Sequence, residues 1–231
     1  GLSVAAGAVQ MGARVVLIEG HRMGGDCLNY GCVPSKALLA AGKAAQAQRG
    51  GARFGLAPAV PQVDFAAAQA HVARTIAAIA PHDSPERFRG LGVHLIEDWG
   101  RFVSPTQVQA GDTLVTARRF VIATGSSPLV PPLPSGRISD RREAPGHLLR
   151  VGGGPIGLEM AQAHRRLGSQ VTVIEGARAL GRDDPEAAAL VLAALRAEGI
   201  EIVEGATVER IAGRPGAVEV QVRGGTAFVG T

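Results

Sequence analysis

Two nineteen-residue segments of this chain follow one plan: LSVAAGAVQMGARVVLIEG at residues 2–20 and LEMAQAHRRLGSQVTVIEG at residues 158–176. Each reads as a small-residue helix, a glycine stop, an apolar strand and a glutamate. Short, continuously apolar strands of this kind suit parallel sheets covered on both faces. A repeated helix–strand unit predicts an α/β chain with two nucleotide-binding, Rossmann-like domains, doubly wound and three-layered.

In the second copy the helix opens on Gly152-x-Gly154-x-x-Gly157, after an expected strand at residues 148–151. The first glycine permits the tight turn, the second lets backbone approach a pyrophosphate, and the third lets helix and strand pack closely. The phosphates would then sit at the helix N-terminus. Glu175, 18 residues past Gly157, ends the next strand and suits both hydroxyls of an adenosine ribose. A carboxylate there repels a 2′-phosphate, so NAD is expected over NADP.

In the first copy Gly1 takes the place of the third glycine, and Glu19 again lies 18 residues on. The strand and two glycines expected before it are absent, and the chain opens without Met. Truncation at the start is therefore expected, as is a stop inside the second unit, leaving both domains incomplete. Further helices are expected at residues 34–49, 64–80 and 185–198. Strands are expected at 93–97, 99–103, 107–110, 113–116, 119–125 and 200–203, with hairpin-like strands at 208–211 and 218–222. This organisation gives a first domain over 1–130, a short proline-rich connector over 131–146 and a second domain over 147–231.

Composition narrows the partners. The net charge is +4, yet the basic residues are nearly all Arg, interspersed with acids, and aromatics make up 3%. No basic stripe with interleaved aromatics argues for nucleic acid. No stretch approaches the roughly 18 uncharged apolar residues of a membrane span. No cleavable leader is visible, so a cytoplasmic setting is expected. The six His show no paired ligand spacing, so no metal site is expected.

Both cysteines lie in GGDCLNYGCVPSK, residues 24–36. In a regular helix residues i and i+5 are about 8.7 Å apart, whereas a disulfide tolerates roughly 7 Å between Cα atoms. Cys27 and Cys32 can therefore pair only where the intervening chain leaves the helix, which Gly31 permits. Pro34 suits the first turn of a following helix, whose dipole would favour a thiolate at Cys32. The spacing alone leaves open whether the pair is redox-active.

The stretch GGDCLNYGCVPSK resembles the active-site signature of the FAD-dependent pyridine nucleotide–disulfide oxidoreductases, nearest the mercuric reductase and dihydrolipoamide dehydrogenase branch. VVLIE, FVIATGSSP and GGGPIGLEMA extend the resemblance over essentially the whole chain. It implies a relay from NADH through FAD to a disulfide, and on to a small disulfide, lipoamide or a metal ion. It makes Cys32 the flavin-side thiol and Cys27 the interchange thiol, with Lys36 and Glu159 as an ion pair near the reactive flavin nitrogen. It places Glu19 on the FAD ribose, Gly1, Gly25 and Asp26 in the FAD cradle, and Gly100 against its adenine. Ala123, Thr124 and Gly125 would approach FAD between domains, and Val208 would line the NAD adenine.

The sequence also departs from that pattern. Asp26 stands where relatives carry Thr, and Arg150 interrupts a strand expected to be buried. The resemblance also implies a dimerisation domain, which in full-length homodimeric relatives carries a His–Glu acid/base pair and which these 231 residues are expected to lack. The resemblance thus implies a fragment of an enzyme of cell redox homeostasis, not expected to complete turnover alone. The alternative is a catalytically silent nucleotide-binding remnant.

Overall fold

The computed structural model describes residues 1–126, 143–214 and 216–231, apart from the Arg53 side chain. The expected connector over 131–146 therefore lies outside the described residues except at 143–146. The chain forms two compact units, Gly1–Pro34 with Ala73–Pro128 and Ser35–Val72 with Leu129–Thr231.

The first unit begins with helix α1 (Leu2–Gln10), strand β1 (Val16–Ile18), the short helix α2 (Gly25–Asn29) and the first turn of α3 (Cys32–Arg49). It continues with the latter part of α4 (Phe65–Ile79), then α5 (Pro85–Gly90) and β2 (His94–Ile96). A meander of β3 (Gly100–Ser104), β4 (Gln107–Ala110) and β5 (Thr113–Thr116) follows. β1 and β2 pair in parallel from Val16 opposite His94 to Ile18 opposite Ile96. Ala5, Met23, Phe88 and Val93 form the buried centre, joined by Leu2, Val9, Val15, Leu17 and Leu95. Phe88, 1% exposed, contributes the bulk that the small residues of α1 lack.

The second unit holds the parallel sheet β6 (His147–Val151), β7 (Gln170–Ile174) and β8 (Ile200–Val203), in that spatial order. Helices α6 (Pro155–Arg166) and α7 (Pro185–Ala197) cover one face through Leu158, Ala161, Val171, Val173, Leu192 and Leu195. The antiparallel sheet β9 (Val208–Arg214), β10 (Ala217–Val222) and β11 (Ala227–Gly230) covers the other, through Ile174, Val220, Val222, Leu149 and Phe228. This makes three layers: helices, parallel sheet, antiparallel sheet.

The repeat ends both of its helices by one device. At α1, Gly12 (φ +83°) lets Ala13 N–H reach the Ala8 carbonyl and Gly12 N–H reach that of Val9. At α6, Gly168 (φ +111°) does the same with Ser169 to His164 and Gly168 to Arg165. Only glycine enters this left-handed region without steric cost, so each helix stops at its glycine and the strand follows, four residues on at Val16 and two residues on at Gln170.

The strand expected at residues 119–125 is absent: residues 119–126 carry no ladder pairing. Val121 and Ile122 are 65% and 74% exposed. β-rich composition makes a strand only when a neighbour supplies the other half of the ladder, and no described strand pairs with this segment, although the Phe120 ring packs on Phe102 of β3.

Within the second unit α3 packs on α6. A Cβ on Gly42 would come 3.2 Å from the Ala163 carbonyl oxygen, and Arg49 Nη1 donates to the Arg166 carbonyl at 2.6 Å. At the far end of α6, Arg166 grips Glu198 with two bonds of 2.7 and 2.6 Å, and Gln162 adds a third at 2.9 Å. The Arg166 guanidinium holds the Glu198 carboxyl below its usual range, and Glu198 in turn raises Arg166. A carboxyl depressed on folding stabilises the protein above its unfolded pKa, and that stability fades as pH falls through the folded value. Glu198→Gln should therefore cost about 1–2 kcal/mol at pH 7. Thermal melts should show this difference shrinking as pH falls below the ordinary carboxylate range and through the depressed folded value.

Candidate active site

Helix α2 stops at Asn29 and α3 starts at Cys32, so the helix breaks between the two cysteines. Tyr30 leaves the helical region at φ −138°, and Gly31 turns the chain back on α2. A Cβ on Gly31 would lie 2.9 Å from Asp26 Oδ2 and 3.4 Å from Cys27 Cα, so a larger residue would push the turn off α2. Asn29 clamps the segment, its Nδ2 donating to the Gly25 carbonyl at 2.8 Å and to that of Met23 at 3.1 Å. Cys32 is the first residue of α3, which starts two residues ahead of the helix expected from residue 34. Both residues stand as exposed thiols. The Cys32 side chain hydrogen-bonds to Cys27 and, helped by partial desolvation, raises the Cys27 thiol above its ordinary range. Cys27 therefore holds its proton more tightly than a free thiol does.

One helical turn past Cys32, α3 carries Lys36, whose Nζ lies 2.7 Å from Glu159 Oε2 of α6, 123 residues away. Glu159 sits fifth in α6, outside the first turn, so the helix dipole does not account for it. The pair is open to solvent, with side chains 61% and 41% exposed. Exposed pairs contribute about 0–1 kcal/mol. Lys36→Gln should change the melting midpoint by no more than that allows, placing any larger loss of function in chemistry rather than stability.

The glycine loop joins β6 to α6. Gly152 has φ +102°, and a Cβ on Gly157 would overlap the Gly152 carbonyl oxygen. A Cβ on Gly154, the N-cap of α6, would meet nothing within 4 Å. The first and third glycines are thus demanded by the loop itself, whereas the second leaves a bare backbone facing open space. Glu175 stands beside it, accepting from Gly153 N–H at 2.7 Å and from Ala177 N–H at 2.9 Å. Each carboxylate oxygen keeps a further lone pair for a hydroxyl. Ala206 N–H donates to the Glu175 carbonyl, which brings Val208, two residues on at the head of β9, to the same end of the sheet. An open cavity of about 210 Å³ is lined by Arg150, Val151, Gly152, Gly154, Pro155, Ile156 and Gly157. Bare backbone, a cavity and a carboxylate with free lone pairs together could hold a dinucleotide.

Of the residues expected around FAD, Lys36 and its partner Glu159 belong to the second unit, and the others among the described residues lie in the first. Glu19 follows β1 and accepts from His21 N–H at 2.9 Å. Gly100, at the start of β3, presses on Ile18: a Cβ there would be 3.3 Å from Ile18 Cγ2. Gly1 lies against Ala123, a Cβ on it falling 3.7 Å from that of Ala123, and Gly125 takes φ +70°. Gly25 and Asp26 open α2, beside Cys27. Glu19 and Gly100 thus stand at the carboxyl end of β1, the edge where open α/β sheets bind ligands, and with Gly1 and Ala123 they are of the types that could hold the adenosine half of a flavin nucleotide.

Sequence reading did not anticipate the Asn29 clamp or the Arg166 grip on Glu198. Asn29 had a local signal, an amide four residues after a glycine-opened helix. Glu198 had none, because its partner lies on another helix. Among the described residues no group of three His, Cys, Asp or Glu could hold a metal ion, and no helix is long and apolar enough to cross a membrane.

A parallel-sheet nucleotide fold beside a paired dithiol defines a class of two-cofactor redox proteins, and comparison with known proteins specifies it. The profile of the pyridine nucleotide-disulphide oxidoreductase family matches residues 1–230. The chain belongs to that family. It is 33% identical over 214 residues to a mercuric reductase of Bacillus cereus, covering 88% of this chain and 34% of the relative. It is 35% identical over 219 residues to a dihydrolipoyl dehydrogenase of Thermus scotoductus, covering 89% and 46%. Among solved structures it resembles the HOCl-induced flavoprotein disulfide reductase RclA of Escherichia coli, solved as a Cu(II) complex, with 25% identity and a TM-score of 0.78. That match covers 100% of this chain and 52% of the other. The chain thus spans about a third to a half of the length of these relatives.

Proposed function

We propose that this chain is the cofactor-binding part of a flavin-dependent NADH:disulfide oxidoreductase, with Cys27 and Cys32 as its redox pair. The observation that carries the reading is the break at Gly31, which sets Cys32 at the head of α3 within hydrogen-bonding reach of Cys27. Residues 1–130 are assigned to FAD and residues 147–231 to NAD, joined by the connector at 131–146. Bound flavin supplies the two-electron relay between nicotinamide and disulfide. The chain's own residues do the rest.

Glu175 binds the NAD ribose, Gly154 gives the pyrophosphate access to backbone, and Val208 borders the adenine. Glu19 takes the FAD ribose, with Gly1, Gly25, Asp26, Gly100, Ala123, Thr124 and Gly125 around the rest of that cofactor. Lys36 places a positive charge where the reduced flavin is anionic, and Glu159 holds it in position. Two electrons and two protons convert the disulfide to the dithiol. Deprotonated Cys27 then attacks a small disulfide or the disulfide of lipoamide, breaking its S–S bond to form a mixed disulfide. Cys32 displaces the bound sulfur, re-forming Cys27–Cys32 and releasing the acceptor as thiols. A metal ion held by the two sulfurs would instead take the dithiol's two electrons as the disulfide re-forms. The raised pKa of Cys27 makes removal of its proton a requirement for the attack.

The chain incubated with excess FAD and then freed of unbound cofactor should be yellow. Addition of NADH without oxygen should bleach the flavin and raise a long-wavelength charge-transfer band. A colourless protein after that incubation contradicts the reading and favours a nucleotide-binding remnant.

A further inference from the structure

Arg150 is the fourth of the five residues of β6, two after Leu148, which packs on the helix side of the sheet, and one after Leu149, which packs on the other. Its side chain runs to the helix side, where Nε comes 3.6 Å from the position a Cβ on Gly157 would take. Nε is fully enclosed and without a hydrogen-bond partner, and no ion pair among the described residues includes Arg150. Burial alone lowers its pKa, with no carboxylate offsetting the effect.

The position is unfavourable twice over in the ligand-free protein. A half-buried guanidinium whose Nε is enclosed without a partner carries a desolvation penalty when no counter-charge stands beside it. It also lies under the first turn of α6, the positive end of a twelve-residue helix, which repels a cation. Nothing in the fold requires it: strand neighbours Leu148, Leu149 and Val151 are aliphatic. One kind of ligand relieves both penalties, an anion in the cavity that Arg150 lines together with Gly152, Gly154 and Gly157.

We infer that Arg150 is a built-in counter-ion for the dinucleotide pyrophosphate, reaching it from beneath the glycine loop while backbone N–H groups reach it from the loop and from α6. The inference rests on the proposed NAD site and deepens it. Most of the cradle is neutral backbone; Arg150 adds a full charge, a charge-assisted hydrogen bond and a stability that appears only when the anion is bound.

The test measures NADH binding by calorimetry and stabilisation by inorganic pyrophosphate, for the parent chain, Arg150→Met and Arg150→Lys. Arg150→Met should weaken both ligands roughly tenfold. It should also flatten the salt dependence of binding and raise the melting midpoint of the ligand-free chain. Arg150→Lys should keep most of the affinity. A purely structural arginine would leave ligand affinity unmoved. Equal or tighter NADH and pyrophosphate binding by Arg150→Met overturns the inference while leaving the NAD site standing. Failure of NADH to bind the parent, with pyrophosphate still stabilising it through Arg150, overturns the NAD reading and keeps the anion contact. Should Arg150→Met not fold, a parent chain that pyrophosphate does not stabilise overturns the inference by itself.

Discussion

Alanine at Gly157 should weaken folding and nucleotide binding together, whereas alanine at Gly154 should weaken binding alone. At Gly157 the new methyl would overlap the Gly152 carbonyl oxygen, which is backbone and cannot swing aside. The loop must open, at about 1–3 kcal/mol of overpacking. An opened loop also displaces the N–H groups aimed at phosphate. Loss of two such bonds to an anion lowers affinity roughly 10²-fold. At Gly154 the methyl enters open space at φ −76°, an ordinary conformation for any residue. The ligand-free chain should keep its stability or gain up to about 1 kcal/mol from a stiffer unfolded state. NADH affinity should fall nonetheless, because the methyl stands where pyrophosphate approaches. A glycine turn with no ligand would show the stability effects without the binding effects, so thermal melts and NADH titrations on the two variants separate the readings.

The second large effect is expected at Cys32. Cys32→Ser should abolish electron delivery to thiols, since one sulfur cannot form the intramolecular disulfide. Stability should change by no more than about 0.5 kcal/mol, because both cysteines are exposed. Cys27→Ser should silence delivery to the acceptor equally, with the Cys32 thiol left behind. Thermal melts alongside thiol-release assays read the two quantities independently. Loss of activity with intact folding is the signature of chemistry rather than architecture.

These expectations draw unevenly on sequence. The repeat at residues 2–20 and 158–176 was legible because its signals are local: a glycine stop, an apolar strand, a closing glutamate. Gly31 was legible for the same reason, since a break between Cys27 and Cys32 follows from helix geometry. The segment at 119–125 misled because VIATG states a preference while a strand needs a partner, and no described strand pairs with it. β11 escaped notice because AFVG between glycines carries too short a pattern to stand out. Lys36 and Glu159 met through family resemblance alone: no pattern within either helix links residues 123 apart. Arg150 was visible as an oddity, but its consequence depended on knowing that Gly157 lies beside it.

The most direct measurement of the account follows the cysteines themselves. The FAD-loaded chain, first oxidised, is exposed to NADH without oxygen, alkylated and analysed by mass spectrometry. The account predicts that Cys27 and Cys32 carry two alkyl groups with NADH present and none without it, when both are joined in one intramolecular disulfide. Flavin that NADH reduces while Cys27 and Cys32 stay unchanged in their oxidation state would contradict it.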